Sequence, residues 1–247
     1  MTNTEKIIAG VDEAGRGPVL GPLVVGAVAI PTKDLHMLVE HGIRDSKDLT
    51  HTKRLEMVNW FHLNADQRGW KHQLIECMPP RIDAAVMNNG LNLLEVELFA
   101  EALNPIRNYV GNGVSILNDA CDVNAQRFTD RIAARLTDWP WSNSTMSSEH
   151  KADTNHAIVG MASILAKVRR DEIIDALENE IGYPIGSGYP SDPHTKAALP
   201  ALLKGKTPHD ALRWSWKTVK REWNALHGED PPVRRFTDKK QRTLFGP

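Results

Sequence analysis

The segment Val11-Asp12-Glu13-Ala14-Gly15-Arg16-Gly17-Pro18 comes just after the apolar run Ile7-Ile8-Ala9. An apolar run that leads into acidic residues and then glycines is typical of a buried strand whose carboxyl end opens into a tight loop. Side chains alternate between the two faces of a strand, so Asp12 and Glu13 share one site only if the strand twists or ends there. Asp12 is therefore the safer candidate for a metal ligand, and an ordinary acidic turn is the alternative.

The loop Gly15-Arg16-Gly17 has residue types suited to a sugar-phosphate backbone. Gly15 and Gly17 allow a positive φ and let the backbone approach a ligand where a Cβ atom would collide. The Arg16 guanidinium can bind a phosphate through two donors while nearby amides face a sugar hydroxyl. This segment therefore predicts metal ligands and a phosphate-binding loop side by side.

Composition is ordinary for a globular protein and does not identify a function. The chain has 247 residues, with 30 Lys and Arg against 31 Asp and Glu. Any nucleic-acid affinity must therefore come from a local basic face. Two cysteines are too few for a disulfide framework, and the ten histidines show no spacing typical of a zinc site. No segment reaches membrane-spanning length and the first residues do not resemble a secretory signal, so a cytoplasmic protein is expected.

Hydrophobic periodicity predicts alternating strands and helices, and hence a mixed α/β architecture. The first two strands are predicted to form a hairpin across the glycine loop. Predicted strands cover residues 7–12, 21–30, 70–77, 114–117 and, weakly, 144–150, and predicted helices cover 91–106, 157–181, 196–203, 214–226 and the regions around 55–63 and 128–136.

Acidic residues recur where predicted strands end. Asp119 directly follows an apolar run and Asp153 follows the weak strand, whereas Asp122 is better placed to begin or cap the next helix. A single aspartate more often caps a helix or a turn than binds a metal. Two-metal phosphodiester hydrolysis, however, needs several carboxylates that hold Mg²⁺ or Mn²⁺ ions about 3.5–4 Å apart. Together with Asp12 and Glu13, these residues predict such a site.

Six ordered segments that span nearly the whole chain match one protein family: GVDEAGRGP at 10–18, DSK at 45–47, NDACDV at 118–123, HKAD at 150–153, ASILAKV at 162–168 and GSGYPSDP at 186–193. In these segments the chain resembles ribonuclease H type 2 (ribonuclease HII), in the form found in archaea and, as the catalytic subunit, in eukaryotes. The resemblance implies a ribonuclease H-like fold, with a mixed central sheet flanked by helices and a small C-terminal helical region.

The resemblance also implies an activity. It is endonucleolytic hydrolysis of the RNA strand of RNA–DNA hybrids, and incision on the 5′ side of single ribonucleotides in duplex DNA, leaving 5′-phosphate and 3′-hydroxyl ends. Ribonucleotide excision repair and removal of primer remnants during replication would be the cellular uses. Another two-metal nuclease of the same superfamily, or a non-catalytic nucleic-acid-binding subunit, are the alternatives.

Site residues are implied in two groups. The loop would contact the ribonucleotide at the junction, and a tyrosine would stack on the deoxyribose that follows. The metal-binding acids would be Asp12, Glu13, Asp119 and Asp153, which would hold two Mg²⁺ or Mn²⁺ ions, and the substrate-binding residues would be Gly15, Arg16, Gly17, Ser46, Lys47, Asn92, Lys151, Ser163, Lys167 and Tyr189.

The C-terminal quarter is predicted to be helical and then flexible. A catalytic domain over 1–190 would be followed by a helical region over 191–228 and a flexible tail over 229–247. Tryptophans at 214 and 216, next to Arg213, are expected to pack the helix onto the core, whereas Arg169 and Arg170 are expected on solvated faces. Gln241, Leu244 and Phe245 are similar to the start of a sliding-clamp-binding peptide, although the usual second aromatic residue is missing.

Overall fold

The structure is a computed structural model that describes residues 5–43, 49–109 and 111–234 of the chain. Strands and helices alternate along these residues, as the hydrophobic pattern predicts. The strands are β1 Ile7–Ala14, β2 Leu23–Pro31, β3 Lys71–Cys77, β4 Val114–Asp119 and β5 Thr145–Glu149, and the helices are α1 Leu35–Glu40, α2 His51–Arg68, α3 Pro79–Asn88, α4 Leu91–Leu103, α5 Ala125–Ala133, α6 Ala152–Asn155, α7 Ala157–Ile181, α8 Pro193–Leu202 and α9 Lys217–His227, with 3₁₀ segments at Thr32–Asp34 and Asn104–Tyr109.

The described strands form one mixed sheet in the order β3-β2-β1-β4-β5, which confirms the predicted fold class. The central strand β1 is antiparallel to β2 and parallel to β4. Pairing between β1 and β4 runs as far as Val11 opposite Asn118. The next residues on the two strands are Asp12 and Asp119, and because parallel strands run the same way, both acids come to the same edge of the sheet.

Helices cover both faces of this sheet. The long helix α7 packs along β1 and β2, while α4 and α5 belong to the core on the opposite face. The first contact is very close, since a Cβ atom at Gly10 would lie 2.5 Å from the backbone carbon of Ile158 and one at Gly26 would lie 2.5 Å from the carbonyl oxygen of Ala162. Only glycine therefore lets α7 lie directly on the sheet. None of the described helices combines the length and apolar character needed to cross a bilayer.

Two helix boundaries differ from the prediction. The helix predicted over 91–106 ends at Leu103, because Pro105 cannot continue the ladder of helical hydrogen bonds and restricts the residue before it. The helix predicted from Trp214 begins at Lys217. The amides of Trp214 and the next residue bond instead to the carboxylate of Asp83, which holds this stretch in a turn ahead of the helix.

The C-terminal region has its own apolar core, which includes Val19 and Leu20 from the segment after the glycine loop together with α8 and α9. Trp214 is buried, as the packing prediction expects. Arg234 is also buried, although it falls in the segment predicted to be flexible, and it donates to the carbonyl oxygen of Leu212 at 2.6 Å. The division into 1–190, 191–228 and 229–247 stays a prediction.

Candidate active site

Three predicted metal ligands converge at the edge of the sheet. One carboxylate oxygen each from Asp12, Glu13 and Asp119 lies within 4.8 Å of the others. Asp119 accepts the backbone N–H of Ala152 at 2.7 Å, which ties the end of β4 to the start of α6. Asp153 is the next residue on α6 and is buried, but among the described residues it does not belong to this close group. We call Asp12, Glu13 and Asp119 the acid cluster.

Asp12 and Glu13 meet in this cluster although they are neighbours on a strand. The strand does not end at Glu13, since β1 continues to Ala14, but its pairing with β4 stops at Val11. Asp12 is buried and accepts the N–H of Glu13 at 2.7 Å, while the Glu13 carboxylate lies 3.3 Å from the sulfur of Cys121. Both carboxylates thus reach one site where the strand leaves its parallel partner.

The electrostatics of the cluster favour a bound cation. The pKa of Asp12 lies well above its ordinary value, chiefly because the carboxyl group is buried and also because Glu13 and Asp119 place negative charge beside it. A hydrogen bond from Ser163 acts in the opposite direction. Three converging carboxylates are hard oxygen donors, so the residues present fit Mg²⁺ or Mn²⁺.

A raised carboxyl pKa predicts how stability depends on pH and metal. The folded, metal-free protein holds the Asp12 proton at a pH where the unfolded chain has lost it, so this group lowers stability as pH rises toward the folded pKa. We expect Asp12→Asn to raise the melting temperature of the metal-free protein. In the wild-type protein, a fixed Mg²⁺ concentration of about 100 times the Kd at about pH 8 should raise the free energy of unfolding at that pH by about 2.7 kcal/mol. The increment should be larger at about pH 8 than at about pH 5, because protons compete with the ion.

Thermal unfolding with and without Mg²⁺ at both pH values checks this expectation. Asp12→Asn should also lose most of the Mg²⁺ increment, because it lacks one carboxylate of the acid cluster. An equal increment at both pH values, or in both proteins, would show that the ion stabilises the protein elsewhere.

The glycine loop is held closely against buried side chains. Gly15 has a φ of +90°, and a Cβ atom there would lie 2.5 Å from Cδ of Arg170 and 2.6 Å from the carbonyl oxygen of Pro22. Gly17 does not adopt a positive φ, so within this loop the left-handed conformation that glycine allows occurs at Gly15 and not at Gly17. Its own Cβ position would make an ordinary contact of 3.5 Å with the ring of Tyr189.

Arg16 connects the loop to the acid cluster. Its guanidinium forms an ion pair with Glu95 and donates to Oδ1 of Asn92 at 2.7 Å, so the structure brings Arg16 and Asn92 together. Glu95 is fully buried on α4, and its Oε1 atom lacks a hydrogen-bond partner within the described parts of the chain. Ligand atoms of Glu95, Glu13 and Cys121 also lie within 4.8 Å of one another. Sequence reasoning missed Glu95, because it stands within an apolar helical pattern.

Tyr189 lies on a second loop beside the first. The amide of Val19 donates to the carbonyl oxygen of Gly188 at 2.8 Å, and Tyr189 is 42 % exposed next to Gly17. Arg170 lies behind its ring, 5.8 Å from the ring centre, and donates to the carbonyl oxygen of the residue at 187 at 2.9 Å. The prediction of a solvated Arg170 is wrong, because the two loops cover this face of α7.

Two further predicted residues lie beside the acid cluster on α7. Lys167 donates to Oγ of Ser163 at 2.8 Å, and Ser163 in turn is hydrogen-bonded to Asp12. Lys151 is exposed in a left-handed conformation with a φ of 61°, directly before α6. Asp122 takes no part in the acid cluster, since it accepts from Arg127 at 3.0 Å.

Five predicted residues lie outside the described parts of the chain. Two belong to the substrate-binding set and three to the clamp-binding segment. The contact with a sliding clamp therefore stays a prediction. These residues are Ser46, Lys47, Gln241, Leu244 and Phe245.

A mixed five-stranded sheet flanked by helices, with acids where its central parallel strands part, is the architecture of ribonuclease H-like enzymes. The family model for ribonuclease HII matches residues 9–219, and the chain belongs to the ribonuclease HII family.

Individual relatives agree with this assignment. The ribonuclease HII of Methanococcus vannielii is 40 % identical over 219 residues, which cover 88 % of this chain and 85 % of the relative. The crystal structure of ribonuclease H2 from Pyrococcus horikoshii OT3 superposes with a TM-score of 0.76 at 34 % identity, over 90 % of this chain and all (100 %) of that one. The ribonuclease HII of Archaeoglobus fulgidus, solved in complex with PCNA, gives 0.70 at 30 % identity, over 87 % and 96 %. The chain is therefore an endoribonuclease of the ribonuclease H type that acts on RNA–DNA hybrids.

Proposed function

We propose that the chain also incises duplex DNA on the 5′ side of single embedded ribonucleotides, by a two-metal mechanism that leaves 5′-phosphate and 3′-hydroxyl ends. Mg²⁺ or Mn²⁺ would be held by Asp12, Glu13, Asp119 and Asp153. When bound, these ions would activate the attacking water and stabilise the leaving 3′-oxygen. The protein's own residues then have to present one phosphate of the nucleic acid to this site and recognise the ribose beside it.

One observation carries this proposal: Glu95 joins the acid cluster to the glycine loop. Its carboxylate pairs with the Arg16 guanidinium, while a ligand atom of Glu95 lies within 4.8 Å of the Glu13 carboxylate. A group recognised by the loop is thereby presented next to the acids, as hydrolysis of the adjacent phosphodiester requires. An acid cluster without a neighbouring loop of this kind would support hydrolysis but would not distinguish ribose from deoxyribose.

Residues around the cluster suit a sugar-phosphate backbone. Lys167 is fixed through Ser163 on the face of α7 that contacts Asp12, and Lys151 directly precedes Ala152, whose amide binds Asp119. They would bind phosphates near the scissile bond without reading sequence. Tyr189 presents a half-exposed ring beside Gly17 and would stack on the deoxyribose after the ribonucleotide. Binding of a 2′-hydroxyl at the glycine loop and of a deoxyribose, which lacks this hydroxyl, at Tyr189 would together recognise the junction between the ribonucleotide and the DNA that follows.

The purified chain should cleave two duplexes of equal length, one a uniform RNA–DNA hybrid and one DNA with a single ribonucleotide. We expect Mg²⁺- or Mn²⁺-dependent cleavage of both, with incision of the second only on the 5′ side of the ribonucleotide. Labelled products resolved beside size standards give the site, and phosphatase or ligase treatment gives the ends. Products with a 2′,3′-cyclic phosphate would contradict attack by water, and an intact single-ribonucleotide duplex would contradict the substrate assignment.

A further inference from the structure

Arg213 is a fully buried cation that binds the glycine loop through its backbone. Its guanidinium donates to the carbonyl oxygens of Gly15 at 2.6 Å, Arg16 at 2.9 Å, Gly21 at 3.1 Å and Pro22 at 2.9 Å. A planar fork of five N–H donors can satisfy four carbonyl groups at once, which no other side chain can do. One residue of the C-terminal region therefore fixes both the glycine loop and the residues that lead into β2.

Trp216 extends this contact to the third residue of the loop. Its indole N–H donates to the carbonyl oxygen of Gly17 at 3.2 Å, and the Arg213 guanidinium lies 4.9 Å from its ring centre. Carbonyl groups of three consecutive residues, at 15, 16 and 17, are thus bound by two neighbouring side chains. We call Arg213 and Trp216 the loop clamp.

Binding the carbonyl groups determines where the amides point. In a trans peptide the C=O of one residue and the N–H of the next point in opposite directions. With the carbonyls of Gly15 and Arg16 directed at the loop clamp, the amides of Arg16 and Gly17 are directed away from it. Pro18 has no N–H, so the third peptide adds no donor. Hydrogen bonds to the carbonyls also polarise these peptides and make their amides stronger donors.

The clamp is itself held in place by bonds that do not involve the loop carbonyls. The backbone N–H of Arg213 donates to the carbonyl oxygen of Val19 at 2.8 Å. The Asp83 carboxylate accepts from the backbone N–H groups of Trp214 at 3.0 Å and Ser215 at 2.9 Å. Burial and the nearby charge of Arg170 lower the pKa of Arg213 to about 9, so the guanidinium still carries its charge at neutral pH. A buried charge whose hydrogen bonds all go to neutral backbone carbonyls is costly to bury.

We propose that Arg213 and Trp216 are positioning residues that aim the Arg16 and Gly17 amides at the 2′-hydroxyl of the substrate. The loop clamp thereby sets the selectivity for a single ribonucleotide over a continuous RNA strand. This inference rests on the proposed incision at single ribonucleotides. Every nucleotide of the RNA strand in a hybrid carries a 2′-hydroxyl, so a less ordered loop can still bind one at many positions along the strand. A duplex with a single ribonucleotide has only one such position.

Trp216→Phe tests the proposal, because it keeps an aromatic ring over Arg213 and removes the one indole N–H that binds the loop. We expect the ratio of kcat/KM on the single-ribonucleotide duplex to kcat/KM on the hybrid to fall about threefold to tenfold, the effect of one hydrogen bond. Arg213→Lys keeps the charge and loses the fork, and should lower the ratio further. The loss should lie mainly in kcat for the single-ribonucleotide duplex, since the phosphate contacts that hold the duplex are unchanged.

Trp214→Phe is the matched control. Its indole N–H donates to the carbonyl oxygen of His209 at 3.2 Å, outside the loop, so this variant should lose stability and keep the ratio. Should Arg213→Lys fail to fold, the two tryptophan variants still decide the question. A wild-type ratio in Trp216→Phe, or an equal fall in both tryptophan variants, overturns the inference while the proposed function stands. If the wild-type chain cannot incise the single-ribonucleotide duplex, the proposed function is wrong and the inference falls with it.

Discussion

Asp119→Asn should abolish cleavage of the RNA–DNA hybrid while leaving the fold intact. The amide keeps the size of the side chain and an oxygen that accepts the Ala152 N–H, but it removes one of the three carboxyl groups that lie within 4.8 Å. Divalent cations prefer carboxylate oxygens, and the ions supply most of the charge stabilisation in such reactions. We expect kcat/KM to fall about 1,000-fold or more, which corresponds to about 4 kcal/mol of lost transition-state stabilisation.

Asp122→Asn is the control for this result. This variant makes the same chemical change three residues away. The Arg127 guanidinium binds the Asp122 carboxylate and lowers its pKa to about 2. The folded pKa is depressed, so this carboxylate contributes stability above its unfolded pKa and loses it as the pH falls toward about 2. Asp122→Asn should therefore lower the melting temperature at neutral pH and retain hydrolysis. Rates of hybrid cleavage at saturating Mg²⁺ distinguish the two variants, and circular dichroism checks that both are folded. If Asp122→Asn loses as much activity as Asp119→Asn, the choice of Asp119 as the metal ligand is contradicted.

Proximity of Asp12 and Asp119 is predictable from the sequence because local pattern and sheet geometry agree. Each acid follows an apolar strand, and the carboxyl ends of parallel strands meet at one edge of a sheet. The same pattern separates Asp119 from Asp122, but the expectation that Asp122 caps α5 is wrong, because Asn124 is the N-cap and Asp122 binds the side chain of Arg127 instead. Where the strand pairing stops is not predictable in this way, since it depends on the partner strand, and that stop is what lets Asp12 and Glu13 share a site.

Arg170 and Arg213 show what local pattern cannot predict. On α7, Arg170 follows Arg169 and precedes two acids, so the local pattern indicates a solvated face. It is buried because the loops at 15–22 and 186–189, which lie outside α7, fold over it. Arg213 donates a hydrogen bond to Gly15, which lies 198 residues away in the chain. The local sequence, an arginine beside tryptophans, does not predict that its partners are backbone carbonyls. Such contacts come from tertiary packing, which overrides local preference.

Gly15→Ala should destabilise the protein strongly and weaken incision at single ribonucleotides. A left-handed backbone costs an alanine about 1–2 kcal/mol. The new methyl group would also lie 2.5 Å from Cδ of Arg170 and 2.6 Å from the carbonyl oxygen of Pro22, and overpacking of this kind costs about 1–3 kcal/mol. Together these terms predict a loss of about 2–5 kcal/mol in the free energy of unfolding. Urea-induced unfolding measures that loss.

Two other glycines separate the contributions. Gly182 has a φ of +82° with nothing within 4 Å of its Cβ position, so Gly182→Ala reports the backbone cost alone, about 1–2 kcal/mol. Gly17 has neither a positive φ nor a close contact, so Gly17→Ala should unfold at nearly the wild-type urea concentration. Equal losses in the variants at 15 and 182 would mean that Gly15 does not press against Arg170. Gly15→Ala, unlike Gly182→Ala, should also displace the loop carbonyls from Arg213 in the folded protein. It should therefore lower kcat/KM on the single-ribonucleotide duplex, whereas Gly182→Ala should not.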